Sequence, residues 1–186
     1  MKNKHDDIEK ILLSEEELDR ITTELGQKIS SDYENSGRKL LLLGILKGSI
    51  VFLADLMRKI SLPTEIEFMK VSSYGSSTTS SGHLNITLDL RHHDDLSDVD
   101  VLIVEDIIDS GRTLSFLCDY LRQRGAASVK CVTMLDKPSR REVIFSPDYA
   151  GKVIPNLFVV GYGLDYAQKY RDLPYIGILK EEIYTT

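Results

Sequence analysis

The residues of this chain that most clearly suggest chemistry are three acids at the end of an apolar run. In VLIVEDIIDSGRT, residues 101–113, four apolar residues precede Glu105 and Asp106, and Asp109 opens a short polar turn. A strand that leads through such a turn into a helix presents backbone amides to an anion such as phosphate. The adjacent acids would repel a phosphate, but they suit sugar hydroxyls or a hydrated Mg²⁺ ion. The combination indicates a sugar phosphate ligand.

Two common nucleotide-binding motifs are missing from the sequence. No glycine-rich run ends in Gly-Lys-Ser or Gly-Lys-Thr, and no complete G-x-G-x-x-G occurs. A nucleoside triphosphatase and a dinucleotide-binding enzyme therefore lose their main support. Taken alone, Asp109 with Ser110 is as consistent with a helix cap as with a binding site. The flanking acids favour the binding site.

Apolar runs that alternate with helix-like segments must position these residues. The run at 40–46 leads through Lys47 and Gly48 into a helical segment, and further strands are expected at 84–90, 128–135, 156–163 and 175–179. Ser14 followed by Glu17 predicts a capped first helix. The pattern predicts an α/β fold with a mostly parallel central sheet flanked by helices. Ligands bind at the carboxyl ends of such strands, which directs attention to these residues: Lys47, Glu105, Asp106, Asp136, Lys137 and Asp165.

Length and composition predict one soluble domain over residues 1–186. The net charge of −6 disfavours nucleic acid as a partner, and no apolar stretch is long enough to cross a membrane. The two cysteines lack the spacing of a zinc site or a disulfide framework, which fits the cytoplasm. Residues 72–83, SSYGSSTTSSGH, are almost free of apolar side chains, and we expect them to form a mobile active-site loop.

The segment VLIVEDIIDSGRTL resembles the phosphoribosyl pyrophosphate signature of the type I phosphoribosyltransferases. GILKGSIVFLADL, VSSYGSST, LDKPSRR and FVVGYGLDYAQKYRDLPYIGIL are similar, in order and from about residue 40 onward, to the bacterial type of the hypoxanthine-guanine branch. The resemblance implies the fold of that family, with a small hood built from terminal segments. It also implies Mg²⁺-dependent purine salvage, in which hypoxanthine, and guanine, react with phosphoribosyl pyrophosphate to give IMP or GMP and pyrophosphate. A homodimer or homotetramer is expected.

The resemblance also implies a role for individual residues. Asp109 would be the general base near purine N7, and Glu105 and Asp106 would bind the ribose hydroxyls. The phosphoribosyl and 5′-phosphate site would comprise Glu105, Asp106, Asp109, Ser110, Gly111, Arg112 and Thr113. Pyrophosphate would be bound by Lys47, Gly48 and Arg171, in a loop where the family typically has a non-proline cis peptide.

The purine, the lid and the metal complete this set of expectations. The resemblance assigns the purine to Lys137, Phe158 and Val159, with Lys137 donating to the exocyclic O6. Ser73 and Tyr74 would belong to the lid. Mg²⁺ would be held by Glu105, Asp106 and Asp165.

Each residue also has an ordinary structural explanation. Lys47 and Lys137 could be surface lysines, and Phe158 a core side chain. Arg171 could form a local surface ion pair with Asp172. Two other functions remain open as well. One is a noncatalytic regulator that senses nucleotides and binds RNA or DNA, which the acidic balance disfavours. The other is a transferase for xanthine or a pyrimidine.

Overall fold

The computed structural model describes residues 3–73, 84–90 and 95–185. Within them the strands are β1 (Ile8–Leu13), β2 (Lys39–Ile45), β3 (Thr64–Ser73), β4 (Leu84–Leu88), β5 (Val99–Ile108), β6 (Ser128–Asp136), β7 (Tyr149–Val153), β8 (Val159–Val160) and β9 (Ile176–Leu179). The helices are α1 (Glu15–Tyr33), α2 (Ile50–Met57), α3 (Arg112–Gln123) and α4 (Glu181–Tyr184). Short 3₁₀ turns cover Lys4–Asp7 and Pro138–Arg140. No helix in this part of the chain has the length and apolar character needed to cross a membrane.

A six-stranded sheet forms the centre of the structure, in the order β4-β3-β2-β5-β6-β7. All its neighbouring strands run parallel except β4, which pairs antiparallel with β3 at one edge. In the middle, Leu42 lies opposite Ile66 on one side and Leu102 on the other. Parallel strands of this kind have both faces covered and read as continuous apolar runs. The predicted mostly parallel sheet is confirmed.

Successive residues of the central strands supply two separate cores. Leu40 and Leu42 pack with α1 and α2 on one face, whereas Leu41 and Leu43 pack with α3 on the other. Full burial of such a side chain contributes about 1.5–3 kcal/mol. Helix α1 begins at the predicted capping box, in which Glu17 N donates to Ser14 Oγ and the Glu17 carboxylate accepts from Ser14 N.

A second, three-stranded antiparallel sheet forms the hood, in the order β1-β9-β8. Ile8 lies opposite Leu179, and Val159 lies opposite Ile178. A small core of its own holds the hood together, made of Val160, Tyr170, Leu173 and Leu179. The expected hood from terminal segments is therefore present.

Four elements differ from the sequence prediction. Strands β1 and β7 were not predicted. The predicted strand at 156–163 is strand only at Val159–Val160, because Gly161, Tyr162 and Gly163 take positive φ angles of 98°, 52° and 101° and turn the chain. Strand β5 continues to Ile108, so Glu105 and Asp106 lie inside the strand and not after it.

Candidate active site

The predicted acid and base-binding lysine meet where β5 and β6 end. Asp109 follows β5 directly, and Lys137 follows β6. The backbone amide of Lys137 donates to Ile108 O at 3.0 Å. The side-chain Nζ of Lys137 lies 3.4 Å from Asp109 Oδ1. Lys137 is only 7% exposed, which excludes the surface-lysine explanation. A buried ammonium group stands here next to a carboxylate at the carboxyl edge of the sheet.

A cleft of about 520 Å³ opens beside this pair. Its walls come from both sheets and the C-terminal helix: Asp106, Ile107, Asp109, Lys137, Arg140, Asn156, Leu157, Phe158, Val159, Leu164, Asp165 and Tyr184. Phe158 is 38% exposed, so it is not the core residue that its apolar surroundings favour. Its ring stacks on Tyr184, with centroids 4.5 Å apart and planes 15° from parallel, and Tyr166 meets it edge-on. An aromatic platform and charged polar groups thus face one space, which suits a planar heterocycle.

The turn after β5 forms a second, smaller pocket of about 200 Å³. Its lining includes Glu105, Asp109, Ser110, Gly111 and Thr113. Gly111 has φ 79° and stands immediately before the first residue of α3, so the amino end of that helix faces the pocket. This geometry suits a phosphate group.

Arg112 is the one member of the predicted phosphate loop whose side chain points elsewhere. Its Nε donates to Glu142 Oε2 at 2.5 Å. Its backbone amide donates to Ser110 Oγ at 3.3 Å, which tightens the turn. The side chain of Arg112 therefore belongs to the support of the loop in this structure.

The side chains of Glu105 and Asp106, the two adjacent acids of β5, are half-buried. Burial, and after it the charge of Asp106, raises the pKa of Glu105 well above its ordinary value. Burial also raises the pKa of Asp106, against the opposing effect of its hydrogen bonds with the Glu105 side chain and the backbone. Ionising both groups at neutral pH is unfavourable because the two charges repel each other. A bound cation would offset this repulsion.

We expect Glu105→Gln to be more stable than the unsubstituted protein at pH 8 without Mg²⁺. Because the pKa of Glu105 is raised on folding, the stability of the unsubstituted protein falls as pH rises above the ordinary value of 4.5 towards the folded value. Glutamine removes this titration, and 1 kcal/mol corresponds to about 2–4 °C in melting temperature for a chain of this size. Thermal denaturation between pH 5 and 8 measures the effect.

The control for this experiment is Glu9→Gln, an exposed acid of β1. Its melting temperature should follow that of the unsubstituted protein at every pH. Equal stability of Glu105→Gln and the unsubstituted protein at pH 8 would contradict the prediction.

The expected pyrophosphate residues lie on the other side of Asp106. The Leu46–Lys47 peptide bond is cis, one bond before Lys47-Gly48. Gly48 packs so closely that a Cβ there would lie 1.6 Å from Asp106 Oδ2. Lys47 Nζ donates to Gln168 Oε1 at 3.1 Å. A side chain at this position would therefore displace the Asp106 carboxylate.

Arg171 and Asp165 form an ion pair next to this loop. Arg171 Nη2 lies 2.8 Å from Asp165 Oδ1, and Arg171 Nη1 donates to Gly163 O at 2.7 Å. The second carboxylate oxygen of Asp165 accepts from Gln168 N at 2.8 Å. Both carboxylate oxygens of Asp165 therefore contact other protein groups. Arg171 therefore forms a local ion pair, but its partner is Asp165. Asp172, the neighbour in sequence, pairs with Lys4 instead.

The residues present fit a Mg²⁺ ion that is shared with a substrate. Across 3–73, 84–90 and 95–185, no cluster of three or more His, Cys, Asp or Glu side chains could hold a metal ion. Glu105 and Asp106 supply a pair of neighbouring carboxylates with raised pKa values. Mg²⁺ is usually bound by one or two carboxylates together with waters and substrate phosphates, so this donor set is sufficient.

Two predicted residues and three unpredicted ones complete the inventory. Ser73 is the last residue of β3, whereas Tyr74 and the rest of the predicted loop to residue 83 lie outside the described residues.

Sequence reasoning missed Arg141, Gln168 and Tyr184. An LDKPSRR segment directly after a strand was the available signal for Arg141. For Gln168 and Tyr184 the sequence carried no comparable signal.

Comparison with known proteins gives one consistent result. A family model described as phosphoribosyl transferase domain matches residues 8–167. The hypoxanthine-guanine phosphoribosyltransferase of Bacillus subtilis is 51% identical over 97% of this chain and 98% of its own length. A crystal structure of hypoxanthine phosphoribosyltransferase from Staphylococcus aureus superposes with a TM-score of 0.91 at 46% identity, covering 98% of this chain and 97% of that one.

Some relatives are longer than this chain. The bifunctional protein TilS/HprT of Listeria innocua is 55% identical over 97% of this chain, which spans only 27% of that relative.

Proposed function

The chain belongs to the phosphoribosyl transferase family, and from this premise we propose that it joins hypoxanthine, and guanine, to 5-phosphoribosyl 1-pyrophosphate, giving IMP or GMP and pyrophosphate. The observation that carries the proposal is the cleft in which Lys137 Nζ lies 3.4 Å from Asp109 Oδ1, beside the exposed ring of Phe158. A 6-oxopurine presents to such a cleft a flat face, an exocyclic oxygen acceptor and a ring nitrogen that exchanges a proton.

On this proposal, the base lies on Phe158 and its O6 accepts a hydrogen bond from Lys137. Asp109 takes the proton at N7 as the new bond to the sugar forms. Adenine carries an amino group where a 6-oxopurine carries O6, so a buried ammonium donor would disfavour it. The backbone of Val159 belongs to the same wall of the cleft and would read the edge of the base.

The phosphoribosyl group would extend from the base into the turn after β5. The amino end of α3, with Ser110, Gly111 and Thr113, would hold the 5′-phosphate. Glu105 and Asp106 would bind the ribose hydroxyls and share Mg²⁺ with the pyrophosphate. When bound, Mg²⁺ offsets the negative charge that develops on the leaving pyrophosphate. Lys47, Gly48 and Arg171 would receive that group, with Asp165 holding Arg171 in place.

We further propose that residues 1–186 act as one catalytic unit. The base cleft takes Lys137 from the end of the six-stranded sheet and Val159 from the hood, so neither sheet provides the site alone. The lid at 72–83, the homodimer or homotetramer and the cytoplasmic location stay predictions.

The test is a Mg²⁺-dependent assay of the purified chain with phosphoribosyl pyrophosphate and each of hypoxanthine, guanine, xanthine and adenine. We expect hypoxanthine and guanine to be converted, adenine to be used at least about 100-fold less well, and all conversion to stop when EDTA removes the metal. Release of pyrophosphate measures the reaction. Preferred use of xanthine would replace the proposed substrate, and uracil added to the panel tests a pyrimidine in the same way. Tight nucleotide binding without any turnover would favour the noncatalytic regulator.

A further inference from the structure

Arg141 stands outside the residues that the family resemblance assigns, yet its guanidinium group contacts the framework of the site at several points. Its Nη1 donates to two backbone carbonyls, Ile108 O at 3.0 Å and Asp109 O at 2.6 Å. Its Nη2 pairs with Asp136, and its Nε donates to Phe145 O at 3.1 Å. The side chains of Arg141 and Asp136 are only 14% and 10% exposed.

These contacts connect the ends of the two strands that carry the central pair of the cleft. Ile108 is the last residue of β5 and Asp109 follows it, whereas Asp136 is the last residue of β6 and precedes Lys137. One planar guanidinium group therefore fixes the backbone at Asp109 and the residue next to Lys137 at the same time. Lysine is a poor substitute, because a single ammonium group lacks the planar fork that reaches several acceptors in fixed directions.

The segment after Arg141 supports the phosphate turn from the same side. The amide of Glu142 donates to Ser110 O at 3.0 Å. A Cβ at Gly111 would lie 3.2 Å from Arg141 Cδ, so the turn rests directly on this side chain. Movement of Arg141 would consequently reach both the proton acceptor and the turn that faces the phosphate pocket.

We propose that Arg141 is a positioning residue for the transfer reaction, and this inference rests on the proposed function. It holds the main chain of 108–110 and the end of β6 so that Asp109 and Lys137 face the same base. Three of its hydrogen bonds go to main-chain carbonyls, those of Ile108, Asp109 and Phe145, and its ion pair with Asp136 is separable from them.

The first comparison is between Asp136→Asn and the double variant Asp136→Asn/Arg141→Gln. The single variant removes the charge of Asp136 but keeps an amide oxygen that can accept from Arg141, so the hold on β6 and the bonds to the carbonyls both remain. We therefore expect kcat/KM for phosphoribosyl pyrophosphate to stay within about threefold of the unsubstituted protein. The double variant also loses the bonds to the carbonyls, and we expect a fall of about 30-fold, with kcat lowered and KM raised. Equal kinetics of the two variants, both folded, would overturn the proposal.

Arg141→Lys keeps the positive charge beside Asp136 and provides a variant that should fold even if the double variant does not. We expect about tenfold lower kcat/KM, since a lysine cannot keep both carbonyl bonds and the bond to Asp136. Arg122→Gln, which removes only a surface ion pair with Asp119 on α3, is the matched control and should retain full activity. Unsubstituted kinetics for Arg141→Lys would overturn the proposal.

Hydrogen exchange separates this inference from the proposed function, because it needs no turnover. The amides of Lys137 and Glu142, which donate to Ile108 O and Ser110 O, should exchange at least about tenfold faster in Arg141→Lys than in Arg122→Gln. Unchanged exchange would show that Arg141 does not fix this backbone. An unsubstituted protein that converts no base would instead contradict the proposed function alone.

Discussion

Replacement of Gly48 by alanine should lower kcat/KM by about 1000-fold, or about 4 kcal/mol in transition-state stabilisation, while the protein stays folded. A Cβ at this position would lie 1.6 Å from Asp106 Oδ2 and 2.5 Å from Asp106 Cγ. The clash falls on the end of a side chain, so the carboxylate can rotate away. The fold is thereby spared, but the acid leaves the position at which it would face the ribose and Mg²⁺.

A second close contact limits how far the loop can move. The backbone at Gly163 approaches Gly48 so closely that a Cβ at Gly163 would lie 2.0 Å from Gly48 O. Gly48 is thus held between an acid and a neighbouring backbone segment. A shift of the loop would also move Lys47, the residue expected to meet the pyrophosphate.

Steady-state kinetics and thermal denaturation of Gly48→Ala measure these two effects separately. Gly125→Ala is the matched control, because a Cβ at Gly125 would have no neighbour within 4 Å and this glycine follows the far end of α3. It has φ 87°, so the control should lose about 1–2 kcal/mol of stability and no activity. Gly48→Ala with activity within tenfold of the unsubstituted protein would contradict the close approach to Asp106.

Lys137→Ala should lower kcat/KM for hypoxanthine by about 100-fold or more and reduce the preference for hypoxanthine over adenine. The substitution removes the buried donor expected at O6. It also removes the ammonium group that lies 3.4 Å from Asp109 Oδ1, so the expected proton acceptor loses its charged neighbour. Hydrogen bonds that involve a charged group contribute about 1.5–3 kcal/mol each, which gives a loss of this size.

The measurement compares hypoxanthine and adenine under identical conditions in the unsubstituted protein, Lys137→Ala and Lys152→Ala. Lys152 is an exposed lysine on β7, and its removal tests for a general effect of losing one positive charge. Lys152→Ala should keep both activity and preference. A Lys137→Ala protein that has lost activity equally for both bases, with the preference unchanged, would place Lys137 outside base recognition.

The central sheet was predictable because its strands are unusual in composition. The run at 40–46 and the segment VLIV are apolar on both faces, which only a strand covered on both sides requires. Strand β1 escaped prediction because Glu9 and Lys10 interrupt its apolar pattern and its partner β9 lies more than 160 residues away. Local sequence carries no record of such a partner.

The site divides in the same way between local and distant information. The acids at 105, 106 and 109 precede a glycine turn, and this spacing is visible in the sequence. The position of Lys137 beside these acids follows from the strand order, because β5 and β6 are neighbours in the sheet. The position of Arg141 beneath the site was not predictable, because most of its partners are main-chain carbonyls, which every residue possesses. Only the fold determines which carbonyls a guanidinium group reaches.

The pairing of β1 with β9 has a consequence for synthesis of the chain on the ribosome. Ile8 meets Leu179, and the carbonyl of Phe158 accepts a hydrogen bond from Leu179 N at 3.0 Å. These contacts become available only after residue 179 has left the ribosome, whereas strands β2, β5 and β6 are made much earlier. A nascent chain would therefore complete the turn at residues 109–113 well before β9 can hold Phe158 in place. Translation interrupted before β9 would leave the expected phosphate turn without the expected base platform.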